Sequence, residues 1–167
     1  RMISINKHIM LLGSRLTGSL IKSVFLLFLV LLVFRQEALY AQVLKNNGAV
    51  MSVTSGVVLN GKDIENTSGT IANNGTFNLS GNYTNGGTIS GDGTTSIGGN
   101  WSNTGSFFAG NGTVIFNGLV NQIITSAGVE TFNILRINNT GVSPANQIVL
   151  SNNVTVTDTL TISSGNI

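Results

Sequence analysis

The stretch GTIANNGTFNLSGNYTNGGTISGDGTTSIGGNWSNTGSF, running from Gly69 to Phe107, decides the fold. Cut into sixes, it begins on glycine at positions 69, 75, 81, 87, 93, 99 and 105. Two residues after each glycine come Ile71, Phe77, Tyr83, Ile89, Thr95, Trp101 and Phe107, with Thr95 the one weak member. After a one-residue insertion the pattern resumes in Gly112-Thr-Val114 and Gly118-Leu-Val120. Three hexads make a longer repeat, in which Gly81-Asn-Tyr-Thr-Asn85 returns as Gly99-Asn-Trp-Ser-Asn103. Such self-similarity is the mark of an array whose units cannot bury a face alone.

Wrapped at three hexads, the apolar positions sort into three columns: Ile71, Ile89 and Phe107; Phe77, Thr95 and Val114; Tyr83, Trp101 and Val120. Two secondary columns accompany them, Leu79, Ile97 and Ile115, and a polar one of Asn85, Asn103 and Asn121. The pattern predicts an all-β, three-sided parallel β-solenoid, because side chains alternate along a strand and a three-residue strand points one residue inward. The corners call for positive φ, which Gly and Asn adopt at least steric cost. Stacked coils bury each column and pair each backbone rung with the next.

Outward from this core the chain divides into four parts. An unbroken apolar run from Val24 to Phe34 follows Arg15 and Lys22 and precedes Ala41-Gln42. It is too short for the ~20 residues of a membrane span and reads as a helical, cleavable signal peptide over 1–41, with no stable membrane span after cleavage; an uncleaved N-terminal anchor is the alternative. Residues 42–60 are an entry or cap strand region, and 61–120 carry the hexad coils. Residues 121–167 hold longer strands, read as wider coils of the same solenoid with a small sandwich as the alternative, among them Phe132–Ile137 and an alternating run in which Val154, Val156, Asp158, Leu160 and Ile162 share one face.

Composition closes off most chemistry. From Gln42 onward three basic residues, Lys45, Lys62 and Arg136, face five acids, Asp63, Glu65, Asp92, Glu130 and Asp158, for a net charge of −2. That leaves no basic patch for nucleic acid. Cysteine is absent and the single histidine, His8, lies in the leader, so neither a His- or Cys-based nucleophilic site nor a zinc site is expected, and no cofactor. Asp63 and Glu65 are the one close acidic pair, read as solvated charges rather than the paired carboxylates of a glycosidase. Gly91-Asp92-Gly93 occurs once, too little for a calcium repeat. Thr70, Thr76, Thr88, Thr94 and Thr113 follow glycines and point outward; such arrays can order water, as in ice-binding solenoids, but β-propensity and solubility account for them more simply. Tyr83 and Trp101 could stack on sugars if exposed, yet their column places them in the core. The sequon Asn82-Tyr-Thr84 is expected by chance in so Asn- and Thr-rich a chain. No catalytic, cofactor-binding or metal residue is therefore assigned.

The runs Gly99 to Gly118, Gln122-Ile, Thr131 to Asn139 and Val154 to Gly165 resemble the repeats of large adhesin-like surface proteins of Bacteroidota, over most of 61–167. The Asn-x-Gly rungs before them also resemble filamentous haemagglutinin-like β-helices. The resemblance implies a right-handed solenoid and secretion to the outer surface, often by a type IX system that reads a C-terminal sorting domain. It further implies that this chain is an N-terminal fragment of a longer array. The expected function is a non-catalytic structural stalk or adhesin, with a glycan-binding module as the alternative and a polysaccharide-active β-helix enzyme behind it. An unidentified surface ligand or glycan is the expected partner, and the open last coil is expected to self-associate.

Overall fold

The structure is a computed structural model that describes residues 42–167; the signal peptide expected over 1–41, with His8, lies outside the described residues. The first strands are β1 (Leu44–Val53), β2 (Val58–Gly61), β3 (Ile64–Asn73), β4 (Thr76–Leu79), β5 (Tyr83–Asn85), β6 (Thr88–Ser90) and β7 (Thr94–Ile97). They are followed by β8 (Trp101–Asn103), β9 (Ser106–Phe108), β10 (Thr113–Phe116), β11 (Gln122–Ser126), β12 (Glu130–Asn138), β13 (Ile148–Leu150) and β14 (Val154–Ser164). Every pairing between these strands is parallel, and the coils form a β-solenoid of about six turns.

Three faces result. The first stacks the starts of β1 and β3 under β5, β8, β11 and β13; the second stacks the ends of β1 and β3 under β6 and β9; the third runs β2, β4, β7, β10, β12, β14. β1 and β3 are long because each turns a corner without breaking. Residues 42–60 thus pair with the next coil as the later coils do, through β1 on β3 and β2 on β4.

The inner columns follow from the hexads where the spacing holds. Ile71, Ile89 and Phe107 are in register, as are Phe77, Thr95 and Val114, and Tyr83 lies on Trp101. Past the insertion three assignments change. The partner of Trp101 is Ile124, and Val120 is 61% exposed in the loop before β11. Ile97 pairs with Phe116, because Ile115 is the outward residue of β10. Asn121 is exposed and belongs to no buried column. The physical reason is extra chain, which enters in two places. One extra residue before Gly112 makes Phe116, and not Ile115, the partner of Ile97. The loop Gly118–Asn121 then lengthens the coil from three hexads, Tyr83 to Trp101, to nearly four, Trp101 to Ile124.

In β14 a bulge separates two inward pairs. Val156 pairs with Phe132 and Leu160 with Leu135, so Asp158 sits exposed at the corner instead of sharing the face of its apolar neighbours. The interior is an aromatic stack. Tyr83 and Trp101 lie face to face at 3.9 Å, as partners on adjacent rungs of one column. Phe107 at 4.8 Å and Phe132 at 5.2 Å meet Trp101 edge-on, the T-shaped geometry that aromatic quadrupoles favour.

The hexad glycines answer mainly to space. Of the seven, only Gly69 takes a left-handed φ, of 89°. A β-carbon on Gly105 would instead strike the backbone of Gly87 one coil below, and one on Gly99 would come within 2.6 Å of the Gly81 carbonyl carbon. Glycine recurs there because consecutive corners stack backbone on backbone.

Candidate functional site

Each of the first rungs of the first face buries an asparagine two residues after its apolar member, and these amides form a directional chain. Asn46 donates to Asn66 (2.9 Å), Asn66 to Asn85 (2.8 Å) and Asn85 to Asn103 (2.8 Å). Their remaining N–H groups reach backbone carbonyls, those of Ala49, Thr88 and Ser106. Such a chain satisfies buried polar atoms that would otherwise cost about 1–3 kcal/mol each, and its members polarise one another.

The chain ends on an acid. Asn103 donates to Oε2 of Glu130 at 2.9 Å, and the indole Nε1–H of Trp101 donates to the same oxygen at 2.8 Å. Glu130 is 3% exposed. Burial pushes its carboxyl above the usual range, against the opposing pull of hydrogen bonds from Trp101, Asn103 and the Thr131 backbone. Nearby Tyr83 is held well above the ordinary phenol value, first by burial and then by the charge of Glu130. Its hydroxyl finds no hydrogen-bond partner among the described residues.

Glu130 also lines an opening. β9 ends its sheet, because the next chain segment on that face, the start of β12, pairs with β14 and not with β9. Between them lies a cavity of about 240 Å³, rimmed by Phe108, Val129, Ser106, Ser126 and Thr131, with Glu130 in its lining.

The residues singled out in the sequence have other engagements. Asp63 and Glu65 do not form a catalytic pair: Asp63 accepts from the Asn82 backbone N–H at 2.6 Å, and Glu65 takes Lys45 at 2.8 Å in an exposed ion pair that lowers its pKa. Asp92 caps the Asn111 backbone N–H at 2.8 Å. The same device recurs at Asn82, Asn100 and Asn121, whose side-chain oxygens each accept a backbone N–H from the following coil. This corner capping explains the abundance of Asn better than left-handed φ, which among the described residues is recorded only at glycines. Lys62 and Arg136 are exposed. Thr70 and Thr88 share one outward column, and Thr76, Thr94 and Thr113 another, all partly covered. Thr95, the weak hexad member, is buried with its hydroxyl accepting from Asn73.

Sequence reasoning missed Glu130 as the end of the ladder, together with Gln122 and Asn139. Gln122 is fully buried; it accepts from the Gly118 N–H and from Asn139 and donates to the Ile97 carbonyl, knitting the inserted loop to the coil below. The visible signal was the Asn85–Asn103 step, which the longer coil leading to Glu130 then obscured. No family model matches the chain, and neither does a curated protein or a solved structure.

Proposed function

We propose that the chain is a non-catalytic, exported cell-surface repeat protein whose solenoid serves as an adhesin-like stalk. The observation that carries this reading is the engagement of its polar groups. Asn46, Asn66, Asn85, Asn103 and Glu130 are bound to one another, and Asp63 and Asp92 cap neighbouring coils. Side chains held in this way fix the spacing of coils and leave the outer surface free to vary, as a display rod requires. The apolar run Val24–Phe34 and the following Ala41-Gln42 support export with cleavage there.

The test is to express the full chain in a bacterium with an outer membrane, probe intact cells with antibody and protease, and sequence the N-terminus of the exported form. The expected results are a surface-accessible protein that starts at Gln42 and tethers cells to a substratum. Retention inside the cell, or depolymerisation of polysaccharide by the purified protein, would contradict the proposal.

A further inference from the structure

We infer that the notch between β9 and the start of β12 is a binding site for one neutral pyranose unit of a glycan. The inference rests on the adhesin-like reading and deepens it, by giving the rod a place that holds a ligand.

The notch arises where the solenoid stops repeating. On the second face β3 and β6 are bonded on both sides, but β9 has a neighbour only in β6. Its far edge therefore presents backbone donors and acceptors into the opening, groups that seek partners unless water or a ligand meets them. The segment that should have covered it is lifted by the longer coil: Asn103 follows Asn85 by three hexads, while Glu130 follows Asn103 by four and a half.

Size, charge and surface chemistry then narrow the ligand. A volume of about 240 Å³ lies below the ~300–1,000 Å³ of pockets for drug-sized ligands and suits a single ring. Glu130 is the one charged residue in the lining, with no Lys or Arg beside it. An anionic ligand would face that carboxylate without a counter-charge. A cation gains little, because the buried carboxylate already accepts from Trp101 and Asn103. The favoured ligand is neutral.

The rim supplies the rest. Phe108 is 60% exposed and Val129 61%, two apolar surfaces against which the C–H face of a sugar can lie. The hydroxyls of Ser106 and Thr131, with the open edge of β9, offer donors and acceptors together, and Ser126, whose hydroxyl donates to the Gly128 carbonyl, offers an acceptor. A ring that is apolar on its face and hydroxylated at its edge matches both.

The chain carries its own reporter. Trp101 is its single tryptophan, and its indole N–H is bonded to Glu130 in the lining. The experiment titrates the full chain with methyl glycosides of glucose, galactose, mannose and N-acetylglucosamine, and with galacturonate, reading tryptophan emission. The expected result is a shift with at least one neutral glycoside, at a Kd of about 1 mM, and a weaker response to galacturonate. Phe108→Ala should weaken binding about tenfold or more, Phe108→Trp should retain it, and Thr94→Ala on another face should leave it unchanged. The site is overturned if no neutral glycoside shifts the emission, if galacturonate binds best, or if Phe108→Ala binds like the parent. Cells that display the chain and adhere without any sugar binding would sink the notch and spare the stalk. A chain that binds sugar but never reaches the surface would do the reverse.

Discussion

Glu130 reaches the end of the asparagine ladder from β12, where the rung register puts Ser126 beyond Asn103, and its charge makes that end sensitive to pH. Its carboxyl is raised by burial, so the folded chain holds the proton to higher pH than the unfolded chain does. Between the ordinary glutamate value and the raised one, the folded state binds more protons, and stability rises as pH falls through that window. Urea melts across this range should show that slope in the parent and lose it in Glu130→Gln, whose amide oxygen still accepts from Trp101 and Asn103. Glu130→Leu should instead cost roughly 1–3 kcal/mol for each of the two donors left buried. A parent whose stability is flat over the window would contradict the role assigned to Glu130. Two neighbours extend the test. Trp101→Ala should cost about 3–5 kcal/mol, since the indole is 1% exposed and enclosed by aromatic rings, whereas Thr94→Ala should stay within about 0.5 kcal/mol. Tyr83→Phe removes a buried hydroxyl without a protein partner and should raise stability by about 1 kcal/mol.

Among the elements, the corners separate two kinds of glycine, and a pair of substitutions distinguishes them. Gly105→Ala drives a β-carbon into the Gly87 backbone and should cost about 1–3 kcal/mol in a denaturant melt. Gly128→Ala meets nothing within 4 Å and should be neutral or slightly stabilising. Equal effects would refute stacking of backbone on backbone as the cause of the hexad. The strands themselves were legible wherever coil length was constant. From Ile71 to Phe107 a step of three hexads lets apolar residue, glycine and asparagine all be read from one column, and the register agrees. Legibility failed when a coil gained residues. Extra residues on an outer corner disturb no pairing, yet they displace every later position in the sequence. The one before Gly112 puts Phe116 where the wrap places Ile115, and the loop Gly118–Asn121 puts Ile124 and Ser126 where it places Val120 and Asn121. The ladder was half visible for the same reason, since its steps from Asn46 to Asn66 to Asn85 are longer than three hexads and do not fit the wrap. The notch left no periodic trace at all, being defined by a pairing that does not occur.

For the whole molecule, parallel stacking at one fixed register is the claim on which both the ladder and the notch depend. Each coil touches chiefly the coils next to it, so the aromatic stack, the amide chain and the open edge of β9 have meaning only if Tyr83 lies over Trp101 and Asn85 over Asn103. The absence of cysteine makes that register open to a direct probe. Thr84 and Ser102 are outward partners on adjacent rungs, and neighbouring strands lie about 4.8 Å apart, within the ~4.4–6.8 Å that a disulfide spans between α-carbons. The decisive measurement is the extent of intramolecular disulfide formation, by mass spectrometry under mild oxidation, in Thr84→Cys/Ser102→Cys against the offset pair Thr84→Cys/Thr104→Cys. The register described here predicts rapid, near-complete closure of the first pair and little of the second; a first pair that stays reduced, or closes no faster than the offset pair, would contradict it.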